Sequence, residues 1–164
     1  MRDASRLGEI RCMTTQSDNQ RAAGLLLLRL VVGVTFVAHG VDKLGDMSGA
    51  EDFFASLGIP APALMTPLVA VTEIVGGVLL IAGLLTPLAG VALAFDMLVA
   101  YLTAHIGHGF FVSGGGAELV LLLGGTSLAV ALTGAGRFSV DAALEATKAT
   151  PDRQERAVSS ALRP

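Results

Sequence analysis

The sequence predicts an all-α integral membrane protein, a four-helix bundle with a short outer interfacial helix in its first loop. Three observations predict it. Of 164 residues, 52% are hydrophobic and only 15% charged, where a soluble domain carries about 25% charged residues. The apolar residues, with a mean hydropathy of +0.67, are gathered in long blocks rather than spread at an amphipathic period. The Lys and Arg residues are concentrated at the two ends of the chain, away from the blocks.

A helix needs roughly 20 apolar residues to cross hydrocarbon. Residues 22–41, 64–84, 88–106 and 117–133 are of this kind. The first is read as a retained helix, because Ala38-His39-Gly40 is a poor cleavage site and the polar stretch 1–21 is of mixed charge. Only Thr86-Pro87 splits the second block from the third, which forces an antiparallel hairpin with the proline in the first turn of the later helix. Between the first two blocks, Ser48-Gly-Ala-Glu51 reads as a capping box opening a helix over 49–57. Phe53, Phe54 and Leu57 give that helix an apolar face for the outer surface, and Gly58-Ile-Pro60 stops it. Three segments result: a polar cytoplasmic tail at 1–21, the transmembrane domain at 22–144, and a polar, disordered cytoplasmic tail at 145–164.

Charge placement sets the orientation. Arg2, Arg6, Arg11 and Arg21 precede the first block, and Arg137, Lys148, Arg153, Arg156 and Arg163 follow the last. The first loop is acidic, and the stretch 107–116 holds no Lys or Arg. Both termini are therefore expected in the cytoplasm of a bacterium, with the chain in its plasma (inner) membrane. The lipid bilayer is the first expected partner. The tail cations alternate with acids rather than forming a stripe, which argues against nucleic acid.

The informative residues are ionisable groups inside the blocks. Such groups are costly in hydrocarbon and are functional candidates by default. Arg29, Glu73 and Asp96 each lie about 10–15 Å from the cytoplasmic end of their span at 1.5 Å per residue, so they can meet at one level. His39, Lys43, His105 and Glu118 fall toward the outer ends and form the mouth of the same site. Arg29, Gly33, Phe36, Gly40 and Lys43 recur at helical spacing and form one stripe, which is expected to face the bundle. The functional reading is a polar site opening outward. The structural alternative is that Arg29 and Glu73 neutralise each other and fix packing. His105-x-x-His108 with His39 and Glu118 offers metal donors at loose spacing, so no metal is assigned. Cys12 is the sole cysteine, which removes thiol–disulfide exchange and cluster ligation. Gly114-Gly-Gly116 lacks the GK[ST] of a phosphate loop.

At these residues the chain resembles the DoxX family of small four-helix bacterial membrane proteins. The resemblance rests on LLLLRLVVGVTFVAHGVDKL (25–44), FFASLGIP (53–60), EIVGGVLLIAGLLTPLAG (73–90), Gly116-Ala-Glu118 and GAGRFSVDAAL (134–144), in that order, over residues 22–144. It implies a four-helix membrane protein tied to membrane redox chemistry, since the family includes subunits of quinone-linked thiosulfate oxidation and members associated with oxidative-stress enzymes. The family's polar positions correspond to Arg29, His39-Gly40, Lys43, Glu73 and Glu118. Three readings stand. The first is a subunit without a cofactor of its own in a quinone-linked membrane oxidoreductase, with a bound quinone and soluble or membrane redox partners. The second is a small proton-coupled transporter, which needs a homo-oligomer because four helices are few for alternating access. The third is a scaffold without chemistry.

Overall fold

A computed structural model describes the backbone of residues 2–148 and the side chains of residues 18–148. Among them the chain is helical without strands. Helix α1 runs over Arg2–Gly45, so the polar stretch after residue 1 continues the helix of the first apolar block. Helix α2, Met47–Ser56, follows after Asp46. Its cap is Asp46, not the expected Ser48 box: the Asp46 carboxylate accepts from the Gly49 amide at 3.0 Å. Ser48 Oγ donates to the same carboxylate at 3.3 Å. An acceptor at the N-cap takes the amide three residues on, and Asp46 stands there.

Helix α3, Pro62–Ala82, opens on a proline and closes on Gly83 at φ 67°. The Leu84 amide reaches back to Leu79 O at 3.0 Å, a closure that needs a left-handed residue and so favours glycine. Helix α4, Thr86–Ala100, begins two residues earlier than the apolar block suggested. A wider π turn, Tyr101–His105, carries it on. After the short 3₁₀ turn Val112–Gly114 comes α5, Glu118–Thr133. Residues 140–148 form a last helix, α6. The tail expected to be disordered from 145 thus starts as helix, and 149–164 lie outside the described residues.

Helix α1 packs along α3, and α4 along α5; α3–α4 and α1–α5 contacts close the arrangement. Val32, Phe36, Leu80, Leu93, Met97, Val120, Leu123 and Val130 form one core cluster between them. The α1 stripe faces this interior: Arg29, Gly33, Phe36 and Gly40 are buried. A Cβ on Gly33 would stand 2.6 Å from Gly77 O, and one on Gly77 equally close to Gly33 O. The two backbones touch, as small residues permit between membrane helices.

The outside is as apolar as the inside. Leu27, Val34, Leu68, Val75, Val78, Leu88, Phe95, Leu98, Leu122 and Leu132 are all exposed. A belt of that extent is far larger than the few hundred Å² a soluble monomer shows. Among the described residues, Asp18–Gly45, Pro62–Ala82 and Thr86–His105 are long and apolar enough to cross a membrane. Helix α5 is apolar but shorter, with 16 residues.

Candidate functional site

Two polar clusters lie at opposite ends of the bundle. One end carries α2 and the 107–116 loop; the other carries the α3–α4 turn and residues 134–148.

At the α2 end, Lys43 Nζ donates to both Glu73 oxygens, at 2.9 and 2.7 Å. Glu73 is 3% exposed and Lys43 22%. Helical side chains lean toward their own N-terminus. On antiparallel α1 and α3 that lean brings Lys43 and Glu73 toward each other, although Lys43 starts nearer the helix end. The same lean carries Arg29, lower on α1, away from Glu73. Its Nη1 donates to Ala135 O and its Nη2 to Phe138 O at 2.7 Å. Its electrostatic counterweight is Asp141.

The anticipated meeting of Arg29, Glu73 and Asp96 is therefore replaced by two separate groups. Gly83 lies against the Arg29 guanidinium, while Gly40 lies against Glu73. Ten residues separate Gly83 from Glu73, about 15 Å along the axis. Asp96 does share the level of Glu73.

Beside that pair is a cavity of about 330 Å³. Lys43, Glu73, Asp96, His39 and His105 supply its polar lining. Phe36, Met65, Val69, Met97 and Leu123 supply apolar walls, and Phe53 and Phe54 of α2, with Leu57 just after it, lie over it. Asp96 Oδ2 is buried and meets no hydrogen-bond partner among the described residues. His105 Nδ1 is 2.7 Å from Gly115 O, and Thr103 Oγ1 donates to Val99 O at 2.8 Å.

Glu118 stands apart from the cavity lining. Its Oε2 accepts from the Val112 amide at 3.1 Å, and its own amide bonds Phe110 O at 2.8 Å, so it folds the 107–116 loop. The donors weighed for a metal do not converge: among the described residues, no three His, Cys, Asp or Glu side chains are grouped to hold one.

At the far end, Asp141 does what no spacing in the sequence suggested. Its carboxylate accepts from the Leu85 amide at 3.0 Å and the Thr86 amide at 3.2 Å, capping α4 from 55 residues away. Leu85 has φ 49°, a left-handed conformation costly for a side-chain-bearing residue. The Asp141 amide also bonds Gly83 O at 3.0 Å.

The family model for DoxX matches residues 24–106. The chain is also 38% identical over 118 residues to "Putative oxidoreductase CatD" of Bacillus subtilis (strain 168), covering 72% of this chain and 84% of that protein. This chain belongs to the DoxX family. It is 30% identical over 121 residues to the inner membrane protein YqjF of Escherichia coli (strain K12), covering 72% of this chain and 89% of the relative. It is likewise 30% identical over 125 residues to the inner membrane protein YphA of the same organism, covering 71% and 87%. No solved structure matches it significantly. The DoxX match spans α1 from residue 24 on, α2, α3, α4 and the π turn, and with them Lys43, Glu73, Asp96 and His105. Asp141 and the Arg29-bound carbonyls lie beyond it.

Proposed function

We propose that this DoxX protein is a four-span protein of the bacterial inner membrane, with both termini cytoplasmic. In this reading it serves a quinone-linked oxidoreductase or oxidative-stress complex as a subunit without its own cofactor, and its cavity takes a quinone-class ligand. Arg29 then lies near the cytoplasmic side, and α2 rests on the outer surface.

The observation that carries the reading is the cavity itself. An apolar, aromatic-lined space with a few convergent polar groups is the usual form of a small-molecule site, and about 330 Å³ falls at the lower end of the usual range. That volume suits one substituted ring and the start of its tail. The lipid-facing Leu121, Leu122, Leu128 and Leu132 support α5 as the fourth span. The name of the Bacillus subtilis relative supports the redox assignment, and those of the Escherichia coli relatives support the inner membrane.

The test is mass spectrometry of small molecules co-purifying with the protein in native-lipid discs. Ala100 also lines the cavity, and Ala100→Phe, which fills it without changing its charge, is the control. A quinone enriched with the wild type and lost in Ala100→Phe supports the reading. No enrichment, or equal amounts in both, moves the assignment to proton-coupled transport or to a scaffold.

A further inference from the structure

We propose that the cavity selects the reduced, hydroxyl-bearing form of its ring ligand, with Asp96 and His105 accepting the hydroxyl hydrogens. This inference rests on the quinone-class reading above.

It follows from which hydrogen bonds are already made. Lys43 is the strongest donor in the lining, and its ammonium is engaged by both oxygens of Glu73, at 2.9 and 2.7 Å. The Thr103 hydroxyl hydrogen is committed to Val99 O. His105 Nδ1 faces the carbonyl of Gly115 at 2.7 Å. A carbonyl only accepts, so Nδ1 must carry the proton. In a neutral imidazole, Nε2 is then left as an acceptor.

Beside Asp96 and His105 the open capacity is therefore to accept; the third Lys43 hydrogen and the His39 ring N–H remain donors in the lining, which a hydroxyl oxygen satisfies as well as a carbonyl does. Asp96 Oδ2 is buried without a partner, and buried polar atoms are almost always bonded. A quinone offers only carbonyl oxygens, which would face these acceptors without a hydrogen between them. A hydroquinone offers two hydroxyl donors. Selectivity of this kind is steep, because the wrong form leaves buried polar groups unpaired. No electron transfer is part of the proposal, only the choice between two forms of one ligand.

The experiment is anaerobic calorimetric titration of the full chain in lipid discs with three probes: a decyl benzoquinone, its hydroquinone, and the dimethyl ether of that hydroquinone. The expected result is that the hydroquinone binds at least tenfold more tightly than the other two. Asp96→Asn, whose amide can donate to a carbonyl, should narrow or invert that preference. Equal wild-type binding of quinone and hydroquinone overturns the inference, as does a preference unchanged in Asp96→Asn. If Asp96→Asn does not fold, the dimethyl ether decides the matter alone, since it keeps the shape and removes the donors. Failure of the wild type to bind any of the three overturns the quinone-class reading itself. A separate titration with dodecylamine that shows tighter binding than the hydroquinone reassigns the acceptors to a cationic head and overturns the proposal.

Discussion

Gly33 and Gly77 face each other across the α1–α3 contact so closely that a Cβ on either would stand 2.6 Å from the other's carbonyl oxygen. Backbone cannot swing aside as a side-chain tip can. Gly33→Ala is therefore expected to part the helices and cost about 2 kcal/mol, typical of overpacking. Gly24→Ala, with nothing within 4 Å of the added carbon, should be neutral or slightly stabilising. Thermal unfolding of both variants in one detergent checks this; equal midpoints would contradict the contact.

Lys43 and Glu73 make a second prediction. Lys43→Met strands a carboxylate that is 3% exposed, and breaking a buried pair costs about 3 kcal/mol. Lys43→Met combined with Glu73→Leu removes both charges and should recover most of that loss. Denaturation of the two singles and the double closes the cycle; a double variant no better than the sum of the singles would show that the ion pair is not the relevant unit.

Asp141 caps α4 through the Leu85 and Thr86 amides. Asp141→Ala should cost about 1 kcal/mol, as cap removal does, and the loss should be local. Hydrogen exchange should quicken at Leu85 and Thr86 while the middle of α4 stays protected. Uniform quickening along α4 would point to global loosening instead.

Arg29 holds the carbonyls of Ala135 and Phe138, and its planar fork reaches both at once. Lysine carries a single ammonium. Arg29→Lys should keep the charge yet release residues 134–139, read as earlier proteolytic cleavage there. Wild-type resistance in Arg29→Lys would mean that charge alone suffices.

Much of this fold was legible in the residues, and the reason is physical. Apolar runs and the α1 stripe are local properties, and each reappears as helix or buried face; the hairpin break falls at 83–85, just before Thr86 and Pro87, which open α4. The site was legible in part. Glu73 and Asp96 announce themselves as charges in hydrocarbon, and both line the cavity. Their partnerships do not, because these depend on how far one helix slides past another and on where each side chain leans. The Gly33–Gly77 contact sets that slide, and it places Glu73 beside Lys43 rather than Arg29. Glu118 looked like part of the mouth because it opens α5, yet its carboxylate turns to the Val112 amide. Asp141 was invisible because a cap arriving from 55 residues away leaves no spacing to read. The walls from α2 were foreshadowed only as an apolar face, since Phe53, Phe54 and Leu57 read equally well as contacts to lipid.

The π turn at Tyr101–His105 bears on anyone who would transplant this motif. A π turn advances less per residue around the axis than an α turn, so over five residues the two windings diverge by about a quarter turn. His105 reaches the cavity lining through that slower winding. Its address is thus written in the pitch of the backbone as much as in the identity of the residue. Copying the same letters onto a regular helix would carry the imidazole off the cavity and leave a scaffold correct in alphabet but wrong in phase.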